Sequence, residues 1–221
     1  MARMSRKELR QDEVAEAAVE AKDWLEENLG LVMRWAAGVA VIGAVGLGIW
    51  FWMQSQATKA RAAFSAAHAD FLTADETGFT DFDAMSAALD GFEKLAAKGG
   101  KTADSAKYYQ AVTLNKMGRT EEALPLLEEL AGAGTATLRA SSQTLLANLY
   151  VEAGRVDDAI ALMATAAEAG DGLPIDQALM HQARLLEGEG REAEAKALWQ
   201  RLQDEFENTP GANEAARKLA S

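Results

Sequence analysis

The 221-residue chain has no cysteine. That excludes disulfides, thiol catalysis, cysteine-zinc sites and a lipid anchor of the lipoprotein type, and it leaves the redox compartment open. Histidine occurs twice, at His68 and His181, far apart and without neighbouring ligands at metal spacing. Both fit a helix surface or a partly buried position better than a metal site. An excess of positive charge is also missing. The formal net charge is −12, which speaks against nucleic acid as a partner, because a phosphate backbone would be repelled. Catalytic motifs are lacking too. "GAGTATLRASS" carries glycines but neither the Gly-Lys-Ser/Thr ending nor the preceding strand of a phosphate loop. Asn208-Thr209-Pro210 is not a glycosylation acceptor. No cofactor, metal or small-molecule substrate is expected.

What the chain does have is one long stretch without charge, amide or hydroxyl, from Trp35 to Met53, within a composition rich in Leu, Ala, Glu and Gly that suits an all-helical protein. Nineteen residues at a helical rise of about 1.5 Å span roughly 28 Å, close to the ~30 Å hydrocarbon core of a bilayer. Trp35 stands at one end and Trp50, Phe51 and Trp52 at the other, as interfacial aromatic belts require, and Arg34 can snorkel to headgroups. A signal peptide would need a short basic start and a shorter apolar core, although "SQA" at Ser55 to Ala57 has the form of a cleavage site. A soluble core helix is rarely apolar on every face for five turns. A retained transmembrane helix over 34–54 is therefore expected. Arg3, Arg6, Lys7, Arg10, Lys22 and Arg34 precede it, against Lys59 and Arg61 in an equal window after it. That excess places the N-terminus in the cytoplasm, while the counts closest to the span are balanced. Ala36, Ala40, Ala44 and Gly48 recur every four residues, on one helix face where another backbone could approach. The preceding tail, 1–33, reads as a short amphipathic helix using Val14, Ala18, Leu25 and Leu29, with Gly30 as its end.

Beyond the span the chain repeats. "GRTEEA" at Gly118, "GRVDDA" at Gly154 and "GREAEA" at Gly190 lie 36 residues apart. Ala111, Ala147 and Ala183 precede each glycine by seven residues, and Ala123, Ala159 and Ala195 follow it by five. Leu126, Leu162 and Leu198 keep the same phase. A period of this length signals stacked helical pairs. The glycine supplies positive φ at the end of the first helix. The acids after it, among them Glu121–Glu122 and Asp157–Asp158, suit the positive end of the second helix dipole better than acid–base catalysis. The alanines mark helix crossings, and Leu fills the layer between repeats. "ALDGFEKLA" at Ala88 parallels "ALPLLEELA" at Ala123, so a degenerate first repeat is expected over 58–98. The others fall at about 104–139, 140–175 and 176–211, with a capping helix at 212–220.

The pattern A-x₆-G-R-x-[DE]-[DE]-A resembles the tetratricopeptide repeat, with Tyr150 matching its first-helix aromatic. The usual first-helix Trp and repeat-ending Pro are absent from their positions. The layout of acidic-basic tail ending in "AKDWLEENLG", Gly-rich span ending in "WFW" and degenerate repeats resembles the YfgM-type proteins of the bacterial inner membrane. That resemblance implies an all-α solenoid in the periplasm (55–221), a single-pass anchor, and a role ancillary to the Sec translocon beside a periplasmic chaperone. It also implies a concave face lined by the first helix of each pair: Tyr108, Val112, Asn115 and Lys116, then Thr144, Asn148, Val151 and Glu152, then Met180, Arg184 and Glu187. Mixed polar and apolar side chains there suit an extended peptide or an unfolded segment. Two other roles stay open at this point. One is an accessory or assembly subunit of another inner-membrane complex, docked through Ala36, Ala40, Ala44 and Gly48. The other is a cell-wall hydrolase, for which no motif speaks.

Overall fold

The computed structural model describes residues 22, 24 and 26–220. Among them all regular structure is helical. Two compact units divide the chain, 1–57 and 58–221.

Most of the described residues of the first unit belong to the early part of α1 (Leu29–Glu76). Every residue from Trp35 to Met53 is exposed, including Trp35, Trp50 and Trp52. By length and composition α1 is able to cross a membrane. Ala36, Ala40, Ala44 and Gly48 are all exposed, and a methyl group added at Gly48 would meet nothing within 4 Å. The break expected at Gly30 lies slightly earlier. A turn falls at Asn28, whose side-chain amide donates to the Trp24 carbonyl (2.8 Å), and Gly30 is the second residue of α1. The asparagine offers the backbone its own hydrogen bond and ends the helical run before the glycine can. Val14, Ala18 and Leu25 lie outside the described residues.

In the second unit the remainder of α1 is followed by α2 (Phe82–Lys98), α3 (Ala103–Lys116), α4 (Thr120–Ala133), α5 (Ala136–Glu152), α6 (Val156–Ala169), α7 (Ile175–Gly188), α8 (Glu192–Glu205) and α9 (Pro210–Leu219). From α2 onward each helix packs on its neighbour in sequence, the arrangement of a solenoid. The 36-residue period has a structural origin. At Gly118, Gly154 and Gly190, φ is +74°, +72° and +72°. Around Gly118 the Arg119 amide reaches the Leu114 carbonyl (2.9 Å) and the Gly118 amide reaches Asn115 (2.9 Å), which closes α3. The same pair of bonds closes α5 (Arg155 to Tyr150, Gly154 to Val151) and α7 (Arg191 to Leu186, Gly190 to Glu187). The arginine that follows each glycine then pairs with an acid one turn ahead: Arg119 forks onto Glu122 (2.7 and 2.8 Å), Arg191 onto Glu194 (2.7 Å twice), and Arg155 donates through Nε to Asp158 (2.6 Å). The recurring acids thus serve both the helix dipole and a local ion pair.

The second helices start at Thr120, Val156 and Glu192, in strict register. The first helices share their ends but not their starts, and repeat seams drawn from the period alone miss the loops. The edges at 139/140, 175/176 and 211/212 fall inside α5, α7 and α9; the connections run over 134–135, 170–174 and 206–209. The capping helix starts at Pro210, with the Thr209 hydroxyl accepting from the Ala212 amide (3.2 Å).

Ala111, Ala123, Ala159 and Ala183 have no exposed surface, and Ala195 almost none. They permit close helix crossings, while Leu127, Leu146, Leu149, Met163, Leu179, Trp199 and Leu202 fill one continuous core through the repeats. A smaller core around Ala67, Ala88, Phe92, Leu95 and Ala106 joins residues 58–76 of α1 to α2 and α3. At Gly91 an added Cβ would lie 2.7 Å from the Ala67 Cβ, so these two helices touch through a glycine. The loop 170–174 is tied down by buried Gln143, whose side-chain carbonyl accepts from the Leu173 amide (3.0 Å).

Candidate binding site

A cleft of about 130 Å³ opens between α5 and α7, the first helices of two successive pairs. Thr144, Ala147 and Asn148 line it from α5, His181, Arg184 and Leu185 from α7, and Met163 from α6. The Thr144 hydroxyl donates back to the Ala140 carbonyl (3.0 Å). Asn148 is exposed and presents a donor and an acceptor. Arg184 supplies the positive charge, and its fork is engaged by Glu214 of α9, with Nε to Oε1 at 2.8 Å and Nη2 to Oε2 completing the pair. That guanidinium holds the Glu214 carboxyl below its ordinary range. His181 is half-buried; burial, then the Arg184 charge, pushes its imidazole below the usual value, against the opposing pull of Glu214. The cleft therefore holds a neutral imidazole near neutral pH, an amide, a hydroxyl and one paired cation over an apolar floor. It can hydrogen-bond an extended backbone and receive a small apolar side chain, and among the described residues no three His, Asp or Glu side chains group to hold a metal.

Of the expected groove residues, Thr144, Asn148 and Arg184 come together here. Met180 is half-buried against the core, and Tyr108 likewise, beside Tyr109. Val112 is half-buried, and Val151 and Glu152 are exposed on the last turn of α5. Asn115 and Lys116 have local work: Asn115 accepts from the Thr120 hydroxyl (3.0 Å), and the Lys116 ammonium lies over the Phe79 ring at 4.9 Å. Glu187 turns away from the cleft. It accepts from Trp199 Nε1 (2.8 Å) and Lys218 Nζ (2.6 Å). Burial opposes its charge, yet these two donors hold its carboxyl below the ordinary range. It lines a separate, wider hollow of about 510 Å³ with Glu192, Lys196, Trp199, Lys218 and Leu219.

His181 and Met163 are cleft residues that the sequence pattern alone does not single out. His181 lies one turn before Arg184 on α7, which is a usable signal once α7 is taken as a first helix. Met163 belongs to a second helix and is brought in by packing. The other histidine, His68, sits in an aromatic cluster, 4.9 Å from the Tyr109 ring and 6.1 Å from that of Phe64.

This geometry agrees with comparisons to known proteins. A tetratricopeptide-repeat family model matches residues 177–209, the span of α7 and α8. The chain carries tetratricopeptide-like repeats. Among solved structures it is similar to the nearly identical tetratricopeptide-like repeats of a protein from Podosopora anserina described as a kinesin light chain. Identity is 18%, the TM-score is 0.50, and the match covers 72% of this chain and 83% of that one. A single-substitution variant of the same repeats matches with a TM-score of 0.51 at 18% identity, over 72% of this chain and 82% of that one. At such identity the likeness concerns the fold. No curated protein matches the chain.

Proposed function

We propose that this protein is a membrane-anchored scaffold that binds extended polypeptide through its repeats. The observation that carries the proposal is the cleft between α5 and α7, where Thr144, Asn148, His181 and Arg184 surround an apolar floor on the first-helix side of a tetratricopeptide-like solenoid. Such repeats act by holding protein partners rather than by transforming substrates. The apolar, fully exposed stretch of α1 supports a single-pass anchor, and the basic residues before it support an N-terminus in the cytoplasm. The resemblance in layout to YfgM-type proteins supports a site in the bacterial inner membrane with the repeats in the periplasm. There the scaffold would hold a periplasmic chaperone, or chains emerging from the Sec translocon, close to the channel. Tethering raises the local concentration of the binding surface and so the apparent affinity of weak contacts.

A second reading has its own support. Ala36, Ala40, Ala44 and Gly48 form an exposed row of small residues on α1, suited to close packing against another membrane helix. On that basis the chain would be an accessory or assembly subunit of another inner-membrane complex. Photo-crosslinkers at Asn148 and at Ala44 in the full-length protein, in its own membranes, separate the two. Translocon subunits or a chaperone on Asn148 support the first. A different membrane complex on Ala44, with nothing on Asn148, overturns it in favour of the second.

A further inference from the structure

The cleft's one cation is already taken, and the partner comes from this same chain. Arg184 is half exposed, yet both arms of its fork are held by Glu214 of α9, whose side chain is itself only 16% exposed. The rest of α9 is held by small buried residues, Gly211, Ala212 and Ala215, and by Leu219, which packs half-buried on the core. A second ion pair, Lys218 with Glu187, fastens its far end. Neither Glu214 nor Lys218 belongs to the periodic phrase that builds the repeats.

Glu214 also shows what Arg184 accepts. A carboxylate sits against the Arg184 guanidinium in bidentate geometry from α9, while Arg184 itself lines the cleft with Asn148 and the half-buried His181. We propose that Glu214 is a built-in competitor: it holds the guanidinium that Arg184 would otherwise offer at the cleft, and a polypeptide bearing a carboxylate binds by taking its place on Arg184. This rests on the cleft being a polypeptide site. The ligand's carboxylate has two sources of the same chemistry, an acidic side chain or a chain end. In either case α9 acts as an autoinhibitory strap whose hold sets the threshold for binding. A neutral segment gains nothing from Arg184 and is indifferent to Glu214.

The test uses the full-length protein in detergent micelles and a fluorescein-labelled octapeptide of alternating serine and leucine, read by fluorescence anisotropy. Three forms are compared: a free C-terminus, an amidated C-terminus with one internal glutamate, and a neutral amidated form. Glu214→Gln frees Arg184 from a charged competitor, and affinity for the carboxylate peptides should rise about tenfold, as for a charge-assisted pair no longer contested. The neutral peptide should not change. Arg184→Gln should weaken the carboxylate peptides and, combined with Glu214→Gln, abolish the gain. A larger gain for one carboxylate form supports the proposal and assigns the source. Lys218→Gln loosens the other end of α9 without freeing Arg184, so a gain there equal to that of Glu214→Gln means loosening rather than competition and overturns the proposal. So does a gain shared by the neutral peptide. Saturating peptide should also speed amide exchange over 212–219 in the unaltered protein, and unchanged exchange there overturns displacement. Binding that Arg184→Gln weakens but Glu214→Gln fails to tighten removes the competitor and leaves the cleft. No binding by any form removes the cleft as a polypeptide site, and this inference with it.

Discussion

Replacing Gly154 by alanine isolates the backbone requirement behind the whole repeat. Gly154 has φ of +72°, and a Cβ built there meets nothing within 4 Å. No clash contributes, so the cost is that of holding an L-residue in the left-handed region, roughly 1–2 kcal/mol. Gly118 and Gly190 offer the same test, with φ of +74° and +72° and equally open surroundings. The three sites lie in separate pairs of helices, so their effects should add to roughly 3–6 kcal/mol in the triple variant. Gly132 supplies the contrast. It lies near the end of α4 in ordinary helical backbone with the same open space, and Gly132→Ala should stabilise by up to about 0.5–1 kcal/mol through helix propensity. Urea unfolding of the full chain in detergent, followed by far-UV circular dichroism, measures all four. The expected result is opposite signs for one chemical change, with unchanged slopes. If Gly154→Ala and Gly132→Ala shift the midpoint in the same direction, the glycine-closed turn is not what fixes the period.

Gly91→Ala should destabilise by about 1–2 kcal/mol despite better helix propensity, because its methyl would lie 2.7 Å from the Ala67 Cβ and force α1 and α2 apart; a midpoint at or above that of the parent protein contradicts the close approach. Tyr150 donates to Glu128 (2.8 Å), and burial first, then that bond, pushes its phenol up to about 12. It should therefore ionise well above its ordinary value of 10.0 in an ultraviolet titration, and the high-pH component should vanish in Tyr150→Phe. The lowered value of His181 means that the unfolded chain binds its proton more readily than the folded one. The associated stability is complete above the ordinary value of 6.5 and is lost as pH falls below it. His181→Gln should flatten the midpoint's pH dependence between about pH 7 and 5, and an unchanged slope contradicts the burial of the imidazole.

The helical class, the number of repeats after residue 103 and their period were legible because each rests on local chemistry. A glycine that must turn left, an arginine three residues before its acid, and small residues at fixed spacing leave their mark in any single window of sequence. That Thr144, Asn148 and Arg184 share one side of the repeats was legible for the same reason, since successive first helices repeat one face. The loops were not. The seams at 170–174 and 206–209 are set by where Gln143 satisfies a neighbouring loop and Thr209 a helix end, and those contacts do not follow the period. Nor could the local pattern show that Glu187 faces Trp199 and Lys218 instead of the cleft, that Met163 closes the floor, or that Glu214 reaches back 30 residues to occupy Arg184. By itself the sequence determined the helices, their pairing and one stretch apolar enough for a bilayer, because these depend on residues within a turn or two of each other. The tertiary structure decided which side chains share a cleft and which are spent on bracing, because hydrogen bonds and ion pairs between helices depend on packing angles that no short stretch of sequence encodes.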